Sequence, residues 1–129
     1  MSHIPTDLLY NEEHEYLKAT DEANVYVVGI TDHAQGELGD VVFLELPDVG
    51  STYARMETFG SIEAVKAVSD LYCPVAGEIL DVNGALQDDP SLVNSDPYGA
   101  GWMVKLRVAD IVDLGTLLDA ARYAEHVGE

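Results

Sequence analysis

Between Glu15 and Val108 a turn signal is never far away. Thr20-Asp21-Glu22-Ala23-Asn24, Gly39, Pro47-Asp48-Val49-Gly50, Pro74, Gly77, Asn83-Gly84 and Asp89-Pro90 interrupt the chain at short intervals. The runs between them suit strands of about 5–6 residues better than helices of about 11. Glu15–Ala19 and Val25–Ile30 read as the arms of a hairpin, followed by Val41–Leu46, by β segments through Met56 and from Phe59 towards Val65, and by Glu78–Val82. Trp102–Val108 alternates, with apolar side chains at Trp102, Val104, Leu106 and Val108. One helical interruption is predicted, capped by Thr31 or Asp32, running through Leu38 and stopped by Gly39. Many short strands with frequent turns predict a small barrel or sandwich.

The period changes near the C-terminus. Ile111, Leu114, Leu117, Leu118, Ala121 and Ala124 recur at helical spacing, so one or two amphipathic helices over about 110–127 are expected to cover an open end of the sheets. The first nine or so residues read as an irregular lead-in. Low-complexity linkers are absent, and 129 residues are enough for one domain that removes roughly two-thirds of its unfolded surface from water. A single domain over 1–129 is therefore expected.

Charge narrows the class of partner. Twenty-four acidic side chains against six basic ones leave a formal net charge of −18, which repels phosphate backbones and anionic lipid surfaces. No nucleic acid and no membrane are the expected partners, and basic protein surfaces are the natural ones. The single cysteine, Cys73, lies in an apolar stretch that favours a buried thiol, and it has no intrachain partner for a disulfide. The N-terminal stretch lacks the basic start and apolar run of a signal peptide, and no segment reaches the roughly 20 apolar residues of a bilayer span. A cytoplasmic location is expected.

Acid/base catalysis is the competing class, prompted by Glu12-Glu13-His14-Glu15 and by Asp88-Asp89. His3, His14, His33 and His126 are scattered without ligand-like spacing, which makes a metal site or a nucleophile triad hard to assemble. The glycines of "GITDHAQGELG" also lack the spacing of a dinucleotide loop.

One lysine stands apart. Lys66, in "SIEAVKAVSDLYCPVAGEI", is flanked by Ala64, Val65, Ala67 and Val68, which offer neither an ion-pair partner nor bulk to hide the amine. A Schiff-base lysine needs a desolvated pocket or a cationic neighbour, and neither is evident here. An accessible amine at a β turn suits acylation by a modifying enzyme. A loose internal echo supports the turn: Gly39-Asp40-Val41-Val42 resembles Gly77-Glu78-Ile79-Leu80, as expected of a quasi-symmetric pair of sheets with Lys66 between them.

The whole chain, from about Leu9 to Glu125, resembles the glycine cleavage H-protein family of lipoyl carriers. The resemblance rests on "IEAVKAVSDLYCPVAGEI", on "HEY" at 14–16, on "VGITDHAQGELGDVVFLELPDVG" at 28–50 and on "LVNSDPYGAGW" at 92–102. It implies a mainly β barrel-sandwich hybrid of two small antiparallel sheets, with lipoate joined covalently to Lys66. Glu63, three residues before the lysine, is implied to be part of the recognition mark, and Asp70 and Glu15 are implied to line a cleft for the loaded arm.

The implied partners are glycine decarboxylase with pyridoxal phosphate, aminomethyltransferase with tetrahydrofolate, dihydrolipoamide dehydrogenase with FAD, and lipoate-attaching enzymes. A carrier of this kind is a substrate shared among enzymes and not itself an enzyme. Biotin carriers resemble it less, because Val65 and Ala67 stand where they usually have methionines. Lipoyl domains of 2-oxoacid dehydrogenases usually have an acid where Val65 stands. An H-like protein that relays lipoate to other carriers, or that is never modified, stays open.

Overall fold

The computed structural model describes residues 2–129; Met1, the first residue of the expected lead-in, lies outside them. Among the described residues nine strands form two antiparallel sheets. β1 (Leu9–Tyr10), β2 (Glu15–Ala19), β3 (Val25–Ile30), β9 (Val104–Val108), β8 (Gly77–Val82) and β5 (Thr52–Tyr53) lie in that order in the larger sheet. The smaller one has the order β4 (Val41–Glu45), β6 (Thr58–Ala64), β7 (Val68–Tyr72). This is the expected mainly β barrel-sandwich arrangement, although the two sheets are unequal, with six strands and three. The echoed strands, β4 and β8, fall in different sheets.

Alternation explains how the sheets close on each other. Leu17, Val28, Ile79, Val104 and Leu106 of the larger sheet share one buried cluster with Val41, Leu44, Phe59, Ile62 and Leu71 of the smaller. Each fully buried aliphatic or aromatic side chain in such a cluster contributes about 1.5–3 kcal/mol. The predicted hairpin forms from β2 and β3, with Glu15 opposite Ile30 and Ala19 opposite Tyr26.

Gly29 in β3 is required by close packing. A Cβ there would lie 2.7 Å from Tyr16 Oη, whose hydroxyl donates to the carbonyl of Pro97 at 2.6 Å. The predicted short helix is α1 (Asp32–Leu38), capped by Thr31 Oγ1, which accepts from the amide of Ala34, and ended at Gly39, whose φ is +78°.

Four expectations are corrected. The stretch between Val65 and Pro74, for which the sequence predicts no strand, forms β7 (Val68–Tyr72). Asn83-Gly84 and Asp89-Pro90 do not simply turn the chain but lead into two single-turn helices, α2 (Ala85–Asp88) and α3 (Leu92–Ser95), whose Leu86 and Val93 reach the core. Between the Pro47–Gly50 turn and Met56 only β5 is strand, and Met56 itself sits in a turn at φ +65°.

The last correction concerns the C-terminal stripe, which does not form one continuous helical face. Ile111–Thr116 is a 3₁₀ helix, Leu118 then bridges to Tyr10, and only α4 (Ala120–Val127) is α-helical. Three residues per turn and an extended Leu117 break the 3.6-residue register. Ile111 and Ala121 are consequently exposed, and Tyr123 is the residue that α4 buries. Tyr123 stacks on Tyr10 with ring centroids 4.5 Å apart, closing a second cluster with Leu8 and Tyr16.

Candidate functional site

Lys66 stands at the tip of the β6–β7 hairpin. The amide of Ala64 donates to the carbonyl of Ala67 at 2.9 Å, leaving Val65 and Lys66 as the two tip residues. The amide of Val65 donates to the carbonyl of Asp40 at 2.9 Å, which ties the tip to the entrance of β4. Small neighbours therefore coexist with a pinned backbone. The amine is exposed, and among the described residues no acid forms an ion pair with it.

The stem of Lys66 runs past Gly39 at the end of α1, where an added Cβ would sit 3.4 Å from Cγ, Cδ and Cε. α1 leads from that point along a cleft of about 340 Å³ bordered by His33, Ala34, Glu37 and Leu38 on the helix, by Glu13, His14 and Glu15 at the start of β2, and by Ser69, Asp70 and Leu71 on β7. The helix is seven residues long, and at about 1.5 Å per residue it spans roughly 10 Å from the lysine end to the histidine end.

The cleft's polar wall carries less charge than its composition implies. Glu15 is 1% exposed. Its Oε1 accepts from Asn11 Nδ2 at 2.7 Å and its Oε2 only weakly from the amide of Tyr72 at 3.4 Å. Burial pushes its carboxyl up to about 8, an effect that Asn11 and Tyr72 oppose and Glu13 reinforces. His14 is lowered, first by burial and then by His33 and His126.

A neutral His14 fits its bonding. Tyr123 Oη lies 2.8 Å from His14 Nδ1 and 2.7 Å from Thr31 Oγ1, so the threonine hydroxyl can donate to the tyrosine and the tyrosine to the imidazole. His33 is held on its other side by Glu129, at 3.3 Å. A buried acid and a neutral imidazole thus face a cleft whose described lining includes no lysine or arginine.

Of the residues expected from sequence, Lys66, Glu15 and Asp70 are brought to this side of the molecule, Glu15 as a buried acid and Asp70 as an exposed one on an edge strand. Glu63 is not. It points away from the core between Phe43 and Val68, opposite the buried Ile62 row. His14 and His33 escaped the sequence reading because they are 19 residues apart; the fold brings their rings to 5.0 Å. Spacing carried no signal for that pair.

The family model for the glycine cleavage H-protein matches residues 8–129. The chain belongs to the glycine cleavage H-protein family. It is 53% identical over 126 residues to the glycine cleavage system H protein of Chlorobium limicola, covering 98% of each chain. Against the H protein of Chromobacterium violaceum it is 52% identical over 128 residues, with 99% of each covered. The crystal structure of an H protein from Mycobacterium marinum superposes with a TM-score of 0.88 at 42% identity, covering 98% of this chain and all of the other. H proteins are the lipoyl carriers of the glycine cleavage system, carry lipoate covalently on a lysine and are not enzymes. The acid/base enzyme reading is set aside on that ground. No described helix is long and apolar enough to cross a membrane.

Proposed function

We propose that Lys66 is the residue that carries lipoate, and that the cleft along α1 shelters the arm while it holds a primary ammonium. The hairpin tip carries this reading: an exposed amine with no ion-pair partner among the described residues, on a pinned backbone, with its stem directed past Gly39. Such a group is free to be acylated and then to swing. Lipoate, once attached, supplies a disulfide that takes up a carbon fragment and two electrons, chemistry that no side chain of this protein offers.

The chain's own contribution is position and charge. Glu15, buried without a cation, is available as counter-ion to an ammonium brought into the cleft, and pairing offsets the cost of ionising a carboxyl there. Asp70 borders the same cleft from edge strand β7, in a row of the sheet that faces outward. Glu63, exposed two residues from the tip pair, serves recognition by a lipoate-attaching enzyme.

In this reading the partners are a pyridoxal phosphate decarboxylase that loads the arm, a tetrahydrofolate-dependent aminomethyltransferase that unloads it, and an FAD-dependent dehydrogenase that reoxidises it. One core shared by both sheets supports reading the chain as one carrier domain, and its acidity favours basic-faced partners.

Intact mass with peptide mapping, on protein made with and without lipoate, tests the assignment. A lipoyl mass confined to Lys66 and lost in Lys66→Arg is expected. Modification at Lys18 or Lys105 instead, or none, would overturn it.

A further inference from the structure

The largest apolar exposure near Lys66 lies on the outer face of the small sheet and not in the cleft. Cross-strand register places Phe43, Glu63 and Val68 in one row across β4, β6 and β7, with the inward-facing Leu44 and Ile62 in the next row. Phe43 is 48% exposed and Val68 69%, and Val65 at the tip is 72% exposed. Val42, the extra residue where the β4–β6 register shifts, adds a further exposed side chain at 55%.

Three strands at about 4.8 Å spacing make this row roughly 10 Å wide, and it begins about 7 Å, two strand residues, from Lys66. Exposed acids surround it: Asp40 at the tip, Glu63 within the row, Glu45 and Asp70 in the next outward row. About half of the Phe43 surface is open to a partner.

Reach decides which protein such a patch serves. Before modification the reactive nitrogen extends only about 6 Å from the backbone on a four-carbon stem. An enzyme that forms the amide must therefore press its active site against the hairpin tip and cover the row beside it. Enzymes that act on the far end of the finished arm need not touch this face.

We propose that Phe43, Val68 and Val65, framed by Asp40, Glu45, Glu63 and Asp70, are the docking surface for the enzyme that attaches lipoate, through an apolar patch on that enzyme rimmed by basic side chains. The inference rests on Lys66 being the attachment site. In the step served, the unprotonated amine of Lys66 attacks the carbonyl of lipoyl adenylate. The C–N amide bond forms, the bond between carbonyl and phosphate oxygen breaks, AMP leaves with the electron pair and the amine gives up a proton. The surface supplies orientation only, and the enzyme leaves the cleft on the sheet's inner side open.

The test is attachment kinetics with an ATP-dependent lipoate-attaching enzyme, lipoate and ATP, acting on the unmodified full chain and read by intact mass. Phe43→Ser and Val68→Ser are expected to lower kcat/KM about tenfold each, since a central aromatic or aliphatic anchor commonly carries that much of an interface. Raising the salt should slow attachment to the wild-type chain and slow it less in Glu45→Gln. Val49→Ser, an equally exposed apolar position in the turn after β4, serves as control and should leave the rate unchanged.

Melting temperatures of Phe43→Ser and Val68→Ser within a few degrees of wild type confirm that the fold is kept. Unchanged attachment in both variants overturns the proposal. So does an equal loss of glycine decarboxylation when the variants are supplied already lipoylated, which would assign the face to the decarboxylase. A concentration-dependent dimer abolished by Phe43→Ser would assign it to a second copy and overturns it too. Failure of Lys66 to be modified in the wild-type chain refutes the carrier assignment itself and is distinguishable from all three.

Discussion

Glu15→Gln isolates the electrostatic cost built into the cleft. The Glu15 carboxyl is held at about 8 against an ordinary glutamate value of 4.5, because burial disfavours its charged form more than Asn11 and Tyr72 stabilise it. Between those two values the folded chain keeps a proton that the unfolded chain has released. The contribution to stability is thus complete below pH 4.5 and is lost as pH rises through 8. An interval of about 3.5 pH units at about 1.4 kcal/mol each sets a ceiling near 5 kcal/mol.

The carboxyl borders an open cleft, and water entry on ionisation lowers the realised part to about 2–3 kcal/mol. Glutamine keeps the acceptor for Asn11 Nδ2 and removes the titration. Urea unfolding of both proteins from pH 5 to 8.5 is the assay, and the difference between them cancels the repulsion among the other acids. Near pH 5 the two stabilities should agree within about 1 kcal/mol, and the variant should gain steadily until it is more stable by about 2–3 kcal/mol at pH 8.5. A difference that does not change with pH, or that favours wild type at high pH, refutes the reasoning.

Tyr123→Phe removes the hydroxyl between Thr31 and His14 and should cost about 1–3 kcal/mol by chemical denaturation, with the His14 imidazole titrating differently by NMR. Asn83 spends its side chain on three partners, donating to the carbonyls of Ala100 at 2.9 Å and Trp102 at 2.7 Å and accepting from the amide of Ala85 at 3.2 Å. Asn83→Leu should therefore lose about 2–4 kcal/mol and loosen hydrogen-exchange protection at residues 85 and 102 before the rest of the core. Gly39→Ala places a side chain at φ +78°, ψ −159°, and a melting shift corresponding to about 1–3 kcal/mol is expected. Gly60→Ala drives its Cβ onto the carbonyl oxygen of Glu45 and should reduce soluble folded yield more than Gly39→Ala does.

Local rules reached far in this chain where the deciding interactions are themselves local. Thr31 and Gly39 bound α1 because a hydroxyl acceptor and a left-handed stop act within one turn of the residues they serve. β2 and β3 were legible from alternation and a polar turn, and β7 was not, because Ala67–Tyr72 mixes Val68, Ser69 and Asp70 on an edge strand where neither face is uniformly apolar. The single-turn α2 and α3 are too short for any periodicity to show. At the C-terminus, apolar spacing suggested a continuous helical face that a 3₁₀ stretch and the Tyr10–Leu118 bridge interrupt.

The site divides along the same line. Lys66 was recognisable because small neighbours, a turn and the surrounding motif are all contiguous, and the quoted motifs identified the family. Burial of Glu15, the pairing of His14 with His33 and Tyr123, and the outward turn of Glu63 beside Phe43 were not readable from the chain. Each depends on which face of a strand meets which neighbour across tens of residues. The sequence by itself placed Lys66 at a turn, within a motif that resembles the lipoyl site of the family. Only the packed sheets decided which acid loses its water and which keeps it, because desolvation and charge coupling are set by distance through space and not by distance along the chain.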